Sequence, residues 1–248
     1  DIGVIQLQVE QLENPLGVDE RKPRFSWKIS SIKPNVMQTG YHIQVASSLD
    51  NLNSNCADLW DSGKVESSQS IWIPYSGKTL KSNQRCYWRV KSFTTQGETA
   101  WSSPTEWSMG LLTENDWKGQ WIGWDKVMPW ESETQWSRLG ARYLRKEFQV
   151  RKQLVQATLH ICGLGLYEAF INGTKVGNQV LAPAHKKKKK TVLYNSFDVT
   201  SLIRQNNAIG VILGNGRYFT MRQKYKTYKI NTFGYPKMRL NLILEYSD

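Results

Sequence analysis

Leu159-His-Ile-Cys-Gly-Leu-Gly-Leu-Tyr-Glu-Ala-Phe-Ile-Asn-Gly-Thr-Lys-Val-Gly177 reads as strand, glycine break, strand, tight turn, strand. Asn172-Gly173 is the strongest hairpin signal in the chain, because a two-residue type I′ turn needs positive φ at both central positions and this pair tolerates it. Gly163 and Gly165 punctuate the strand before it. A glycine inside a strand pattern marks a bulge, or a place where another backbone or a ligand comes close. The stretch therefore reads as a bulged corner of a β-sandwich, with close approach of a ligand as the sharper alternative.

Working outward, the rest of the chain keeps the same grammar. Residues 1–113 carry Leu7-Gln-Val, Phe25-Ser-Trp-Lys-Ile, Tyr41-His-Ile-Gln-Val-Ala, Ser70-Ile-Trp-Ile, Cys86-Tyr-Trp-Arg-Val-Lys-Ser-Phe and Glu106-Trp-Ser-Met-Gly, separated by turn clusters such as Glu13-Asn-Pro-Leu-Gly and Asp61-Ser-Gly. Short alternating strands with regular turns predict an antiparallel β-sandwich. Tyr41, Ile43 and Val45 share one face and belong to a core, since successive strand side chains alternate. In the Cys86 strand the core face is Trp88, Val90 and, after a slip, Phe93. Tyr87 fits a tyrosine corner, its hydroxyl returning to backbone. Asn51 to Asp58 reads as an exposed polar loop.

A second β region follows from Arg142, through Tyr143-Leu-Arg-Lys-Glu-Phe-Gln-Val, the opening stretch, Asn207-Ala-Ile-Gly-Val-Ile-Leu-Gly and Met238-Arg-Leu-Asn-Leu-Ile-Leu-Glu-Tyr. Asp198-Val-Thr-Ser-Leu-Ile-Arg is the single predicted helical turn, capped by Asp198 or Thr200. Between the two regions, residues 114–141 hold Trp117, Trp121 and Trp124. Such a tryptophan density predicts a junction packed between two domains, with an aromatic sugar-stacking platform as the alternative. The chain stops at Asp248 directly after an apolar strand, which predicts a fragment.

Composition narrows the function classes. The 248 residues are 40% hydrophobic and 22% charged, and no run of about 18 apolar residues exists to span a membrane. The net charge of +12 falls to +7 without Lys186 to Lys190, so it reflects one solvated loop rather than a nucleic-acid surface. An acidic partner held by that loop is the remaining use for it. Three cysteines, Cys56, Cys86 and Cys162, form no CxxC, and His42, His160 and His185 have no ligand at helical spacing, so neither a zinc site nor a disulfide framework is predicted. Gly163-Leu-Gly165 and Gly214-Asn-Gly216 lack the further glycine and crossover helix of a dinucleotide fingerprint. Asp1-Ile-Gly-Val-Ile-Gln is no signal peptide; the chain is cytosolic or already processed.

Specific runs carry a family resemblance. Glu13-Asn-Pro-Leu-Gly-Val-Asp, Pro23-Arg-Phe-Ser-Trp, Gln38-Thr-Gly-Tyr-His-Ile-Gln-Val-Ala-Ser-Ser, Asp58-Leu-Trp-Asp-Ser-Gly-Lys-Val, Trp117-Lys-Gly-Gln-Trp-Ile-Gly, Gly163-Leu-Gly-Leu-Tyr-Glu-Ala-Phe-Ile-Asn-Gly and Leu213-Gly-Asn-Gly-Arg-Tyr resemble, in order, the amino-terminal region of bacterial α-L-rhamnosidases. The resemblance implies an all-β chain: a fibronectin type III-like β-sandwich over 1–113, the tryptophan-rich junction over 114–141, and a jelly-roll β-sandwich over 142–248, incomplete at its C-terminal end. It implies a periplasmic or secreted location in preference to a cytoplasmic one.

The resemblance also implies that catalysis belongs to a later (α/α)₆ barrel, whose acidic residues perform an inverting hydrolysis of rhamnosylated glycans or glycosides. No catalytic residue is assigned here, and the chain by itself is expected to be inactive. Its partners are then that downstream barrel and rhamnose-containing carbohydrate. As an L-rhamnose-binding module, the jelly-roll would use Asn172, Asn178, Asn215, Arg217 and Tyr218. Related modules sometimes hold calcium. Here Asn178 stands in Val176-Gly177-Asn178 where relatives tend to have aspartate, which removes a carboxylate ligand. Ala184-His185 and the lysines replace an aromatic and acidic segment, and Arg217 stands where tryptophan is frequent.

Overall fold

The computed structural model describes residues 2–131, 139–183, 192–219 and 233–248. Lys186 to Lys190, with Ala184 and His185, lie outside the described residues. The chain divides into two compact units, the first running to Asp116 and the second starting at Trp117.

The first unit is an antiparallel sandwich of β1 (Ile2–Val9), β2 (Arg24–Ser31), β3 (Gln38–Ala46), β4 (Trp60–Asp61), β5 (Val65–Glu66), β6 (Ile73–Pro74), β7 (Arg85–Thr94), β8 (Gly97–Glu98) and β9 (Thr105–Ser108). One sheet runs β1-β2-β6; the other is built on the β3–β7 pair, with β4 and β5 on β3 and with β8 and β9 on β7. Alternation puts Phe25 and Trp27, Ile43 and Val45, and Trp88 and Val90 inside. The rings interlock: Phe25 lies 4.5 Å from Trp88 and 5.4 Å from Trp107, centroid to centroid. Each such burial stabilises by roughly 2–3 kcal/mol.

Three local expectations need correction. No slip brings Phe93 inward: β7 alternates strictly, and Ser92 occupies the core face. A hydroxyl is tolerated there because Trp27 Nε1 donates to Ser92 Oγ (3.1 Å) and to Gln38 Oε1 (3.0 Å), while Ser92 donates to the same Gln38 oxygen (3.0 Å). The tyrosine that ties itself to backbone is Tyr75 rather than Tyr87. Its hydroxyl donates to the Lys78 carbonyl at 2.8 Å, and burial pushes the phenol above its ordinary pKa. The loop expected over Asn51 to Asp58 begins inside a short helix, α1 (Leu49–Asn53), which Ser48 caps by accepting the Asn51 N–H and which buries Leu52.

The second unit contains β10 (Ile122–Gly123), β11 (Arg142–Gln149), β12 (Leu154–Leu164), β13 (Leu166–Ile171), β14 (Thr174–Lys175), β15 (Tyr194–Asp198), β16 (Asn206–Gly214) and β17 (Lys237–Tyr246). They form two antiparallel four-stranded sheets, β10-β17-β12-β15 and β11-β16-β13-β14. This eight-strand order, with β12 and β13 in opposite sheets, is that of a jelly-roll. Ala157, Leu159 and Ile161 of one sheet face Ala169, Ile171, Ile209, Val211 and Leu213 of the other.

The opening stretch is the corner between these sheets. β12 continues through Gly163, and the chain crosses at Gly165, whose φ is +133°. A Cβ there would lie 2.4 Å from the Gly214 carbonyl oxygen, so both backbone angle and space exclude a side chain. The hairpin follows, with φ of 51° at Asn172 and 83° at Gly173, as a type I′ turn requires. The expected helical turn is a single 3₁₀ turn, Thr200–Leu202. Asp198 serves it by accepting the Thr200 N–H at 2.9 Å.

Candidate functional site

The five candidate sugar-binding residues do not converge. β13 pairs Leu166 with Gly214 at one end and Ile171 with Ile209 at the other. Asn172 therefore sits one strand length, about 17 Å at 3.4 Å per residue, from the turn that holds Asn215, Arg217 and Tyr218. Asn178 is exposed on a third segment, between Val176, whose N–H donates to Ala169, and Ala182, whose carbonyl accepts from Tyr167.

Asn172 is bonded within the fold. Its Oδ1 accepts the Ala208 N–H (2.9 Å), and its Nδ2 donates to the Leu202 carbonyl (2.8 Å) and to Asn207 Oδ1 (2.9 Å). A carboxamide offers two N–H groups and one oxygen, so one lone pair is left. Asn207 in turn donates to the Arg204 carbonyl (2.6 Å) and accepts the Arg204 N–H (2.7 Å).

At the other end Asn215 donates Nδ2 to the Leu139 carbonyl (2.7 Å), and its own carbonyl accepts the N–H groups of Tyr218 and Phe219. Tyr218 is half-buried with its ring 6.0 Å from Phe233. Arg217 is exposed at the crest. Next to this turn, the Arg142 guanidinium grips Glu131 with two donors (2.8 and 3.0 Å), and both side chains are nearly inaccessible, 4% and 7% exposed. That fork, joined by the Met128 and Gly140 N–H groups, holds the Glu131 carboxyl down at about 2.

Around Asn172 lies a hollow of about 470 Å³ that sequence reading did not find, lined by Glu147, Phe148, Gln149, Asn206, Asn207 and Ala208. Its residues come from the ends of β11 and β16, which pair Phe148 with Asn207 and Gln149 with Asn206. Asn206-Asn207 is the one local signal. Only the register of two strands nearly 60 positions apart brings it to Glu147.

The other candidate chemistry is structural. His42 meets Asp61 at 2.6 Å, and Gln44, Arg89 and Asn55 continue that chain of bonds beneath the Trp101 ring. His160 is fully buried against Ser196 (2.7 Å), and burial lowers its pKa to about 4. None of the three cysteines is in a disulfide. Asn178 and Gln179 are exposed on the 177–181 segment, which carries these carboxamides and no carboxylate. Among the described residues no cluster of three or more His, Cys, Asp or Glu is placed to hold a metal, and no helix is long and apolar enough to cross a membrane.

Two family models match the chain. One, described as a Rha78A-like, N-terminal immunoglobulin domain, covers residues 4–113, and the other, the alpha-L-rhamnosidase N-terminal domain, covers 152–248. Immunoglobulin and fibronectin type III domains share the sandwich architecture seen in the first unit. An alpha-L-rhamnosidase of Formosa agariphila is 37% identical over 95% of this chain, and one of an Alteromonas species is 36% identical over 84%. Among solved structures, the alpha-L-rhamnosidase from Dictyoglumus thermophilum superposes with a TM-score of 0.87 and 38% identity over 99% of the chain, and that from Aspergillus terreus with 0.84 and 32% over 100%. The chain spans about a quarter of these relatives, 27% of the Formosa protein and 28% of the Dictyoglumus one. Two matched models that both describe amino-terminal domains, on a fold shared over the whole chain, place it in the α-L-rhamnosidase family as the amino-terminal region.

Proposed function

We propose that this chain is the non-catalytic amino-terminal region of an α-L-rhamnosidase-like glycoside hydrolase, and that it scaffolds a downstream (α/α)₆ barrel acting on rhamnosylated glycans or glycosides. The observation that carries this reading is a match over 99% of the chain that accounts for only 28% of the matched enzyme. The electrostatics support it. Inverting hydrolysis needs a general acid whose pKa is raised, facing a base about 6.5–9.5 Å away across a water. Among the described residues, the carboxylates whose acidity the fold alters, Glu10, Asp58, Asp61 and Glu131, are all shifted downward. Glu10 and Glu131 are locked in forks with Arg24 and Arg142. The polypeptide at the length its gene encodes is expected to hydrolyse an aryl α-L-rhamnoside with inversion at the anomeric carbon, read by proton NMR. No hydrolysis of any α-L-rhamnoside overturns the reading.

A second reading, an L-rhamnose-binding module, is favoured by the hollow beside Asn172, whose lining includes Glu147, Phe148, Gln149 and Asn206, residue types suited to sugar hydroxyls and an apolar sugar face. Titration with millimolar L-rhamnose, with and without calcium, is expected to shift the Asn206 and Gln149 side-chain amide resonances. Shifts confined to Arg217 and Tyr218 would move the site to the opposite end, and no shift at all sinks this reading.

A further inference from the structure

Among the described residues, the jelly-roll of the second unit is left open along one side. β11 is the outer strand of its sheet, and among the described residues nothing pairs with its far edge. On the same side the opposite sheet ends in β10, which pairs with Met238 and Lys237 of β17 and no further. Between the two edges the core opens to the surface through a cleft of about 290 Å³, lined by Ile122, Leu144, Ile209, Val211, Met238 and Leu240 among others. Leu144, Phe148, Leu240, Leu242 and Leu244 pack against the core yet stay only half-buried, with the exposed Lys146 between Leu144 and Phe148 also lining the cleft. Ile122 in its lining is 46% exposed, and Tyr143, on the other face of β11 from Leu144, is 76% exposed.

The backbone of β11 is arranged to receive a strand. Asn172 N–H donates to the Ala208 carbonyl, so Ala208, Gly210 and Ile212 direct their backbone groups toward β13, and the intervening Ile209 and Val211 direct theirs toward β11. Their partners Lys146 and Leu144 thus face β16, whereas Tyr143, Arg145 and Glu147 present N–H and C=O groups outward. Soluble proteins keep such an edge short, cover it or guard it with charge. Arg145, Lys146 and Glu147 guard it against a second copy of this chain, but they leave Leu144 and Phe148 beside an open core.

We propose that β11 and the cleft are covered by an extended segment from the portion of the polypeptide that relatives carry outside this region, pairing with Tyr143, Arg145 and Glu147 and placing alternate apolar side chains against Leu144, Val211 and Leu240. This rests on the scaffold reading above and names the surface through which the scaffold engages the rest of the protein. The occupant is sequence of the same polypeptide because the relatives are nearly four times as long as the chain, which covers 27–28% of them. Strand addition satisfies the free edge and the apolar cleft together, as a docked helix would not.

Hydrogen exchange at the amides of Tyr143, Arg145 and Glu147 tests it, measured in this chain alone and in the polypeptide at the length its gene encodes. Exchange at least about 10-fold slower in the longer form is expected, one factor of ten being the least that a stable hydrogen bond to the edge gives. Equal rates overturn the proposal, as does a gene product no longer than this chain. Arg145→Pro removes an outward N–H without breaking the ladder to β16. It is expected to leave the thermal midpoint of the short chain within about 2 °C and to erase the protection of Tyr143 and Glu147 in the longer form. Retained protection there contradicts strand pairing. Should the variant fail to fold, the wild-type comparison still decides. Rhamnoside hydrolysis by the longer form with equal exchange rates rejects the strand while sparing the scaffold reading; no hydrolysis rejects the scaffold reading whatever the exchange shows.

Discussion

Asn172 and Asn207 bond side chain to side chain at the hairpin end of the jelly-roll, Nδ2 of the first donating to Oδ1 of the second at 2.9 Å. Through them the β13–β14 turn, the segment around Leu202 to Arg204 and the start of β16 are tied together. Asn172→Ala leaves the Ala208 N–H and the Leu202 carbonyl short of partners, while Asn207 Oδ1 keeps the Arg204 N–H, and about 1–3 kcal/mol of stability is expected to be lost. Urea unfolding measures this. An unchanged midpoint would show that water replaces the carboxamide without loss.

Gly165 turns the chain from one sheet to the other with φ of +133° and the Gly214 carbonyl in the place of a Cβ. Gly165→Ala is expected to destabilise the second unit by on the order of 2–3 kcal/mol, through strain plus overpacking against backbone. Gly173→Ala, where nothing lies within 4 Å of the added carbon, carries the strain of a φ of +83° without the clash. It is expected to cost less. The reverse order of the two variants in thermal melts would contradict the corner assignment.

His160 sets a pH dependence. Its pKa is depressed in the folded state, from 6.5 to about 4, because burial disfavours the imidazolium. The unfolded chain therefore binds the proton first, and stability present above pH 6.5 is lost as pH falls toward 4. At about 1.4 kcal/mol per unit the loss approaches 3 kcal/mol. Denaturation midpoints between pH 7 and 4 are expected to fall, and His160→Gln to flatten that slope. A slope unchanged in the variant places the acid sensitivity elsewhere.

Glu131 acts in a lower window. Its folded pKa is also depressed, to about 2, first by the Arg142 fork. Its contribution is present above pH 4.5 and vanishes as pH falls through 2. Glu131→Gln is expected to melt well below wild type at pH 7 and to converge with it near pH 2. A gap that persists at pH 2 would assign the effect to packing rather than to charge.

Much of this fold was legible in the residues, for identifiable reasons. Alternation of apolar side chains placed Ile43, Val45, Trp88 and Val90 correctly, and the Asn172-Gly173 turn and the Gly165 corner follow from backbone stereochemistry that few residues satisfy. Ser92 escaped because its place in the core depends on Trp27 and Gln38, 65 and 54 positions away. The helix after Ser48 escaped because five residues are too few to show a period. The candidate sugar site was the least legible. Asn172, Asn215 and Arg217 share turn chemistry, and turn chemistry does not say which end of a strand a turn occupies. That is set by the pairing of β13 with β16, while the pairing of β11 with β16 builds the hollow at Glu147 and Asn206.

The central claim, that this region supports catalysis without performing it, is tested most directly by release of the aglycone from an aryl α-L-rhamnoside at equal molar concentrations of this chain and of the polypeptide its gene encodes. No release above buffer is expected for the chain, and steady turnover for the longer form. Turnover by the chain alone would contradict it.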